Sequence, residues 1–188
     1  MKPSFAHVVC VVAAGALSAC SLIANPNDPL KDKQYVSLVN SLNWTNALTG
    51  KRDGSRSSTP LAAGHKELFP LAQLKQCEGA GPCSWGVMNA ERQVTSVNYV
   101  AGGVILGLAL TVDVKRRQEM RSGNFNTAMA IPSDVPALAA TKRLERSLTL
   151  KYGQIEHIDF DYGVGFDVCV LRYDAAGRAL DTCAIPYI

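Results

Sequence analysis

Charge is scarce in this chain: only 19% of its 188 residues are charged, and the net charge is +3. That balance lacks the dense basic face by which nucleic-acid-binding domains hold phosphate, so no nucleic-acid partner is expected. Fifteen glycines and nine prolines are too few for a collagen-like or linker composition. Histidine is rarer still, with three in the chain, and no HExxH, glycine-rich phosphate loop or GxSxG occurs. The nearest approach to the last, Gly81-Pro82-Cys83-Ser84-Trp85-Gly86, has the wrong spacing for a nucleophile elbow. No catalytic residue, cofactor or metal ligand is therefore assigned. Apolar residues, by contrast, make up 47% of the chain. That is enough to bury a core, which excludes wholesale disorder, and the length suits one domain.

The first twenty residues read as an export address. Lys2 supplies a positive start, residues 5–17 are mostly apolar, and small residues follow. Such a stretch is a secretory signal and is short for a membrane span. Its end, Leu17-Ser18-Ala19-Cys20, resembles the lipobox of bacterial lipoproteins: a branched apolar residue, two small residues and a cysteine. The resemblance covers only these residues, and it implies a diacylglycerol on the Cys20 thiol, cleavage before Cys20 and acylation of the new amine, for instance by palmitate. Several acyl chains on one residue give stable anchoring, where one chain is marginal. Ser21 in place of an aspartate implies, on the same resemblance, the outer membrane. The expected organisation is a signal peptide over 1–19, a lipidated tether over 20–30 containing Pro26 and Pro29, and one periplasmic domain over 31–188.

Cys10 leaves with the signal and Cys20 goes to lipid, which leaves Cys77, Cys83, Cys169 and Cys183. Four cysteines in an oxidising compartment predict two disulfides. Residues 166–173 read as a strand and 178–185 as its return, joined by a turn closed by Gly177 in the left-handed conformation. With Asp174 facing Arg178, counting back sets Cys169 directly opposite Cys183, where a cross-strand bond is feasible. Cys77 and Cys83 then close the loop holding Glu78, Gly79, Gly81 and Pro82. Metal binding by the four is the rival, but the spacing is not CxxC and no histidine is near.

Along the rest of the chain, Asp28-Pro29 looks like a helix start. Tyr35, Leu38, Val39 and Leu42 recur at helical spacing, with Gly50 as the stop. Residues 51–63, rich in serine and basic side chains, read as a loop. Val104, Leu106, Leu108, Leu110, Val112 and Val114 alternate with smaller or polar residues, the pattern of a strand buried on one face. A transmembrane helix over 94–112 is the competing reading, since that stretch is uncharged, contains Gly103 and Gly107, and precedes Lys115-Arg116-Arg117. Its strongly apolar run is short, and the strand reading is preferred, with 93–100 as partner. Residues 117–134 read as a loop and 134–145 as a short helix. Strands over 147–152, 155–162 and 166–173 then form a meander with turns at Gly153, Gly163 and Gly177. The fold class expected is α+β, an N-terminal helix followed by a mainly antiparallel sheet. The alternative is a β-sandwich with helical additions.

The best polar constellation is His157, Asp159 and Asp161, which share one face if their segment is a strand. Two carboxylates and an imidazole there can bind a metal or support weak acid–base hydrolysis. The simpler reading, preferred here, is the solvent face of a half-buried strand. The scattered basic groups at Lys51-Arg52, Arg56, Lys115-Arg116-Arg117 and Lys142-Arg143 with Arg146 read as solvated ends of elements. Trp44 and Trp85 read as packing residues rather than ligand platforms. The chain is thus expected to be a non-enzymatic outer-membrane lipoprotein, an accessory or assembly component of an envelope complex such as a secretion or surface-structure machine. Its contact points are expected at residues 77–83 and at the tip holding Asp174, Gly177 and Arg178. The alternative is a periplasmic inhibitor or immunity lipoprotein that blocks a hydrolase.

Overall fold

A computed structural model describes residues 35–79 and 81–186. The signal, Cys20, the tether and the helix start at Asp28-Pro29 lie outside the described residues. The described chain is built almost wholly of antiparallel strands, and its only helical segment is the single 3-10 turn Asp161–Gly163. This overturns the α+β expectation, and the helical additions of the alternative are absent among the described residues as well.

The first strand, β1 (Tyr35–Thr45), occupies the stretch expected to be helical. Leu38 and Leu42 fit both a helical and an alternating period, and Asn40 interrupts the alternation of Val36, Leu38, Leu42 and Trp44. The ambiguity arises because β1 is central and covered on both faces, so nine consecutive residues are buried and no polar face marks the period. The serine-rich stretch expected as a loop is β2 (Arg52–Pro60), an edge strand paired with β1 along its whole length. Polar side chains suffice there because the backbone ladder supplies the pairing and one edge is wet. Strands β10 (Ile155–Asp159) and β11 (Gly165–Tyr173) complete this first sheet, in the order β10-β11-β1-β2.

The second sheet runs β3 (Lys66–Leu68), β5 (Cys83–Val100), β6 (Gly103–Lys115) and β9 (Ala140–Lys151), with β4 (Ala72–Cys77) beside β3 on the same flank of β5. β6 is the strand read from alternation, and its six large aliphatic residues are all buried. No helix among the described residues is long and apolar enough to cross a membrane. Gly107 has a different reason from helix packing. Register slips between Val94 and Ser96 on β5, and a Cβ at Gly107 would collide with the Thr95 and Ser96 hydroxyls at that bulge. β9 replaces the expected helix over 134–145. It starts at Ala140 and puts Leu144, Leu148 and Leu150 opposite Leu110, Leu106 and Val104 of β6. The loop expected over 117–134 is largely a two-stranded ribbon, β7 (Arg117–Ser122) with β8 (Phe125–Ala130).

The two sheets face each other across one core. Leu38, Leu42, Phe166, Val168 and Val170 of the first pack with Met88, Val94, Leu106, Leu108 and Leu150 of the second. Two small apolar clusters cover the outer faces. Val39, Cys169 and Leu171 on the first sheet lie under Cys183 and Ile185 of the C-terminal segment. On the second sheet Leu71 and Val87 lie under Ile131, with Met120 and Met129 of the ribbon beside them. Each layer of burial thus removes a strip of sheet surface from water, the main favourable contribution to such a fold.

Candidate functional site

Both disulfides form as read from the sequence. Cys77 and Cys83 face each other at the end of the β4–β5 pair, with a Cα separation of 4.0 Å. Cys169 bonds Cys183 at 6.0 Å. The expected register holds at the turn. The Asp174 N–H donates to the Arg178 carbonyl, Leu180 N–H to the Arg172 carbonyl, and Gly177 has φ +79°. The return strand over 178–185 does not form, however. Only Tyr173 and Ala179 bridge, and the segment beyond Leu180 turns across the outer face of the sheet. The disulfide fastens this cover in place of a second strand. Asp174 caps its own turn, accepting from the N–H groups of Ala176 and Arg178 and from the Arg178 guanidinium. The Arg178 backbone N–H, then its side chain, hold the Asp174 carboxyl below the usual range.

The structure does not bring the two expected contact loops together. Glu78, Gly79, Gly81 and Pro82 sit at the β4–β5 turn, and Cys77 borders the same cleft as the β1–β2 loop that follows Thr45. Asp174, Gly177 and Arg178 sit by the other end of β1, where Tyr35 stacks on Tyr173 with ring centroids 4.8 Å apart. Eleven residues of strand separate those ends, a span of about 35 Å at roughly 3.3 Å per residue.

The polar constellation is rearranged. His157 and Asp159 lie on the outer face of β10, and the histidine Nε2 is 3.0 Å from an Asp159 oxygen. Asp161 has left the strand. It sits in the 3-10 turn, 3.8 Å from Lys142 Nζ, so the three do not converge on one point. The closer partner of His157 is Asp167, directly across on β11, whose carboxylate lies 2.5 Å from Nδ1. Asn43 donates to the other Asp167 oxygen at 2.9 Å, and the Arg52 guanidinium donates to Asn43 and to the Gly163 carbonyl. Gly165 makes room for this cluster, since a Cβ there would lie 2.8 Å from Asn43 Oδ1 and 2.9 Å from His157 Cε1. Asp167 raises the His157 pKa above 6.5; burial opposes this and Asp159 adds to it.

Chemically this is an imidazole held between two carboxylates, which favour its protonated form. An Asp–His pair can shuttle a proton, but here both ring nitrogens are committed and Asp159 occupies Nε2, where a substrate would be addressed. Among the described residues no group of three or more histidine, cysteine, aspartate or glutamate side chains is placed to hold a metal ion. The sequence pattern singles out neither Asp167 nor Asn43, and it marks Arg52 only as one of the scattered basic groups. The hairpin count that pairs Cys169 with Cys183, applied to the turn at Gly163, would have set His157 against Asp167.

Most of the scattered basic groups are occupied within the fold. Lys115 pairs with Asp113, Arg117 with Glu119 and Arg143 with Glu145, while Arg116 donates to the carbonyls of Pro132 and Val135. Burial pushes the Asp113 carboxyl up, but Gln118, Lys115 and Thr141 together hold it below its ordinary value. Trp44 is buried in the core, and Trp85 lies half-buried with Lys75 Nζ 4.9 Å from its ring centroid. The least expected charge is Arg92, on the inner face of β5 and wholly buried. It pairs with Glu67 at 2.5 Å, and its Nε and Nη1 find no hydrogen-bond partner among the described residues.

No family model, curated protein or solved structure matches this chain.

Proposed function

We propose that this chain is a lipid-anchored protein of the bacterial outer membrane that works without catalysis, as an accessory or assembly component of an envelope complex. One observation carries the reading: two disulfides join all four cysteines that remain once Cys10 and Cys20 are assigned to the signal and the lipid. Such pairing belongs to an oxidising compartment, the destination that the Leu17-Ser18-Ala19-Cys20 motif addresses. The occupied ring nitrogens of His157 support a binding role over a hydrolytic one. A domain whose disulfide-closed β4–β5 hairpin projects at one end of β1 suits an adaptor that meets its protein partner there. The partner in this reading is another envelope protein.

The test begins with the native protein in its own membranes. Cys20→Ser should abolish palmitate labelling and release the protein from the outer-membrane fraction, whereas retention of label would reject the anchor. Crosslinking of the wild type in intact envelopes should trap a defined partner protein. If photo-crosslinkers at surface positions over the whole domain trap none, the adaptor role fails.

A further inference from the structure

Among the described residues strand β4 has one neighbour only, and the geometry of its other side is that of an unfilled sheet position. The Trp85 N–H and C=O bond Pro136 and Leu138, on the flank of β5 away from β4. Trp85 is therefore in a non-hydrogen-bonded pair with Lys75 opposite, and the ladder between β4 and β5 uses Ala72, Leu74 and Gln76. The Phe69 N–H, bonded to Ala90 on the same flank of β5, confirms this phase. It follows that the N–H and C=O groups of Gln73 and Lys75 point outward, away from the sheet, and among the described residues they meet no other hydrogen-bond partner.

A groove runs along this edge. Near Gln73 it opens into a cavity of about 280 Å³ bordered by Trp44, Ala47, Leu71 and Met129. Near Lys75 and Cys77 it continues as a second cavity of about 300 Å³ under the β1–β2 loop. Asn46, Ala47 and Leu48 wall both cavities, so they form one trough with β4 as its other wall. Leu48 stands over it 80% exposed, the most exposed large apolar residue of the described chain. The opposite edge of the same sheet, β9, is guarded by contrast. Lys142 and Arg146 take inward-facing register positions on it, opposite Val112 and Leu108, and charges at such positions deter strand addition.

We infer that the β4 edge is a peptide-docking site, which takes an extended segment of a partner protein as an added strand. A row of outward N–H and C=O groups at strand spacing is complementary to another polypeptide backbone and to few other ligands. Gln73 and Lys75 supply two donors and two acceptors. The Trp44, Leu71 and Met129 cavity takes one apolar side chain of the segment, and Leu48 packs over it. The Cys77–Cys83 bond holds the end of β4 against β5, so the edge is pre-organised. This rests on the adaptor reading above and names its contact surface.

The experiment uses the full-length protein in detergent and a phage-displayed library of random linear peptides as probe. Selected peptides should carry an apolar residue at a fixed position and should slow hydrogen exchange at the Gln73 and Lys75 amides at least tenfold. Lys75→Pro removes one outward donor, a change that edge strands tolerate, and should weaken binding at least tenfold. Leu48→Asp, a surface change that leaves the backbone untouched, should also weaken it. Peptides that bind both variants as tightly as wild type, or no enrichment at all, would overturn the site. Protection of the same amides by protein concentration alone would mean that a second copy fills the edge, and would overturn the assignment to a partner. If envelope crosslinks form but survive both variants, this site fails while the adaptor reading stands. If no position on the domain yields a crosslink, the adaptor reading fails first.

Discussion

Arg92 is the residue where local chemistry bears most directly on stability. A wholly buried guanidinium with one carboxylate partner and two unsatisfied nitrogens is costly, because water has been removed without full replacement. Removing only the partner leaves an uncompensated charge, so Glu67→Ala should destabilise the fold by about 3–5 kcal/mol in chemical denaturation. Arg92→Met, which removes the charge and keeps the volume, should cost much less, and a larger loss than for Glu67→Ala would refute this account. His157 gives a second test at this scale. Its folded pKa is raised, so the stabilisation it supplies is complete below 6.5 and is lost as pH rises through the folded value. The histidine resonance should therefore titrate above 6.5 in wild type and move down in Asp167→Asn. The stability advantage of wild type over that variant should shrink as pH rises across this window. A resonance that titrates unchanged in the variant would show that Asp167 is not the cause.

Among the elements, the two covalent links do different work. Cys169–Cys183 spans a separation of 14 residues and holds the C-terminal cover on Val39 and Leu171, whereas Cys77–Cys83 spans six at a turn already formed by strand pairing. On chain entropy alone the longer loop contributes about 3 kcal/mol and the shorter about 2.4 kcal/mol. The Cys169→Ala/Cys183→Ala pair should lose more than this difference, because it also loosens the cover over a buried cluster. Equal thermal midpoints for the two double variants would contradict that assignment. The strands themselves were unequally legible. β6 declared itself because one face is large and aliphatic and the other is not. β1 did not, because a central strand buried on both faces erases the period, and β2 did not, because an edge strand of serines and arginines has the composition of a loop. The ribbon β7–β8 was missed for the same reason, since most of its side chains are exposed.

At the scale of the molecule, two antiparallel sheets share a core, with a ribbon over one outer face and a disulfide-fastened segment over the other. The expected contact loops fall at opposite ends of β1, so a single partner cannot be assumed to touch both, and the open edge of β4 lies near the Cys77–Cys83 end. Of the polar site, His157 and Asp159 follow from alternation and Asp167 is within reach of the hairpin count at Gly163, while the approach of Asn43 and Arg52 to them needed the pairing of β11 with β1 and of β1 with β2. The sequence by itself determined the cysteine pairing, the aliphatic strand β6 and the turn at Gly177, because each depends on neighbours a few residues apart or on a strict period of two. Only the tertiary structure decided that β1 is a strand rather than a helix, that Arg92 is buried, and that the β4 edge is left open. Those outcomes depend on what covers each face, and that is settled by segments far away in the chain, whose contacts no local pattern records.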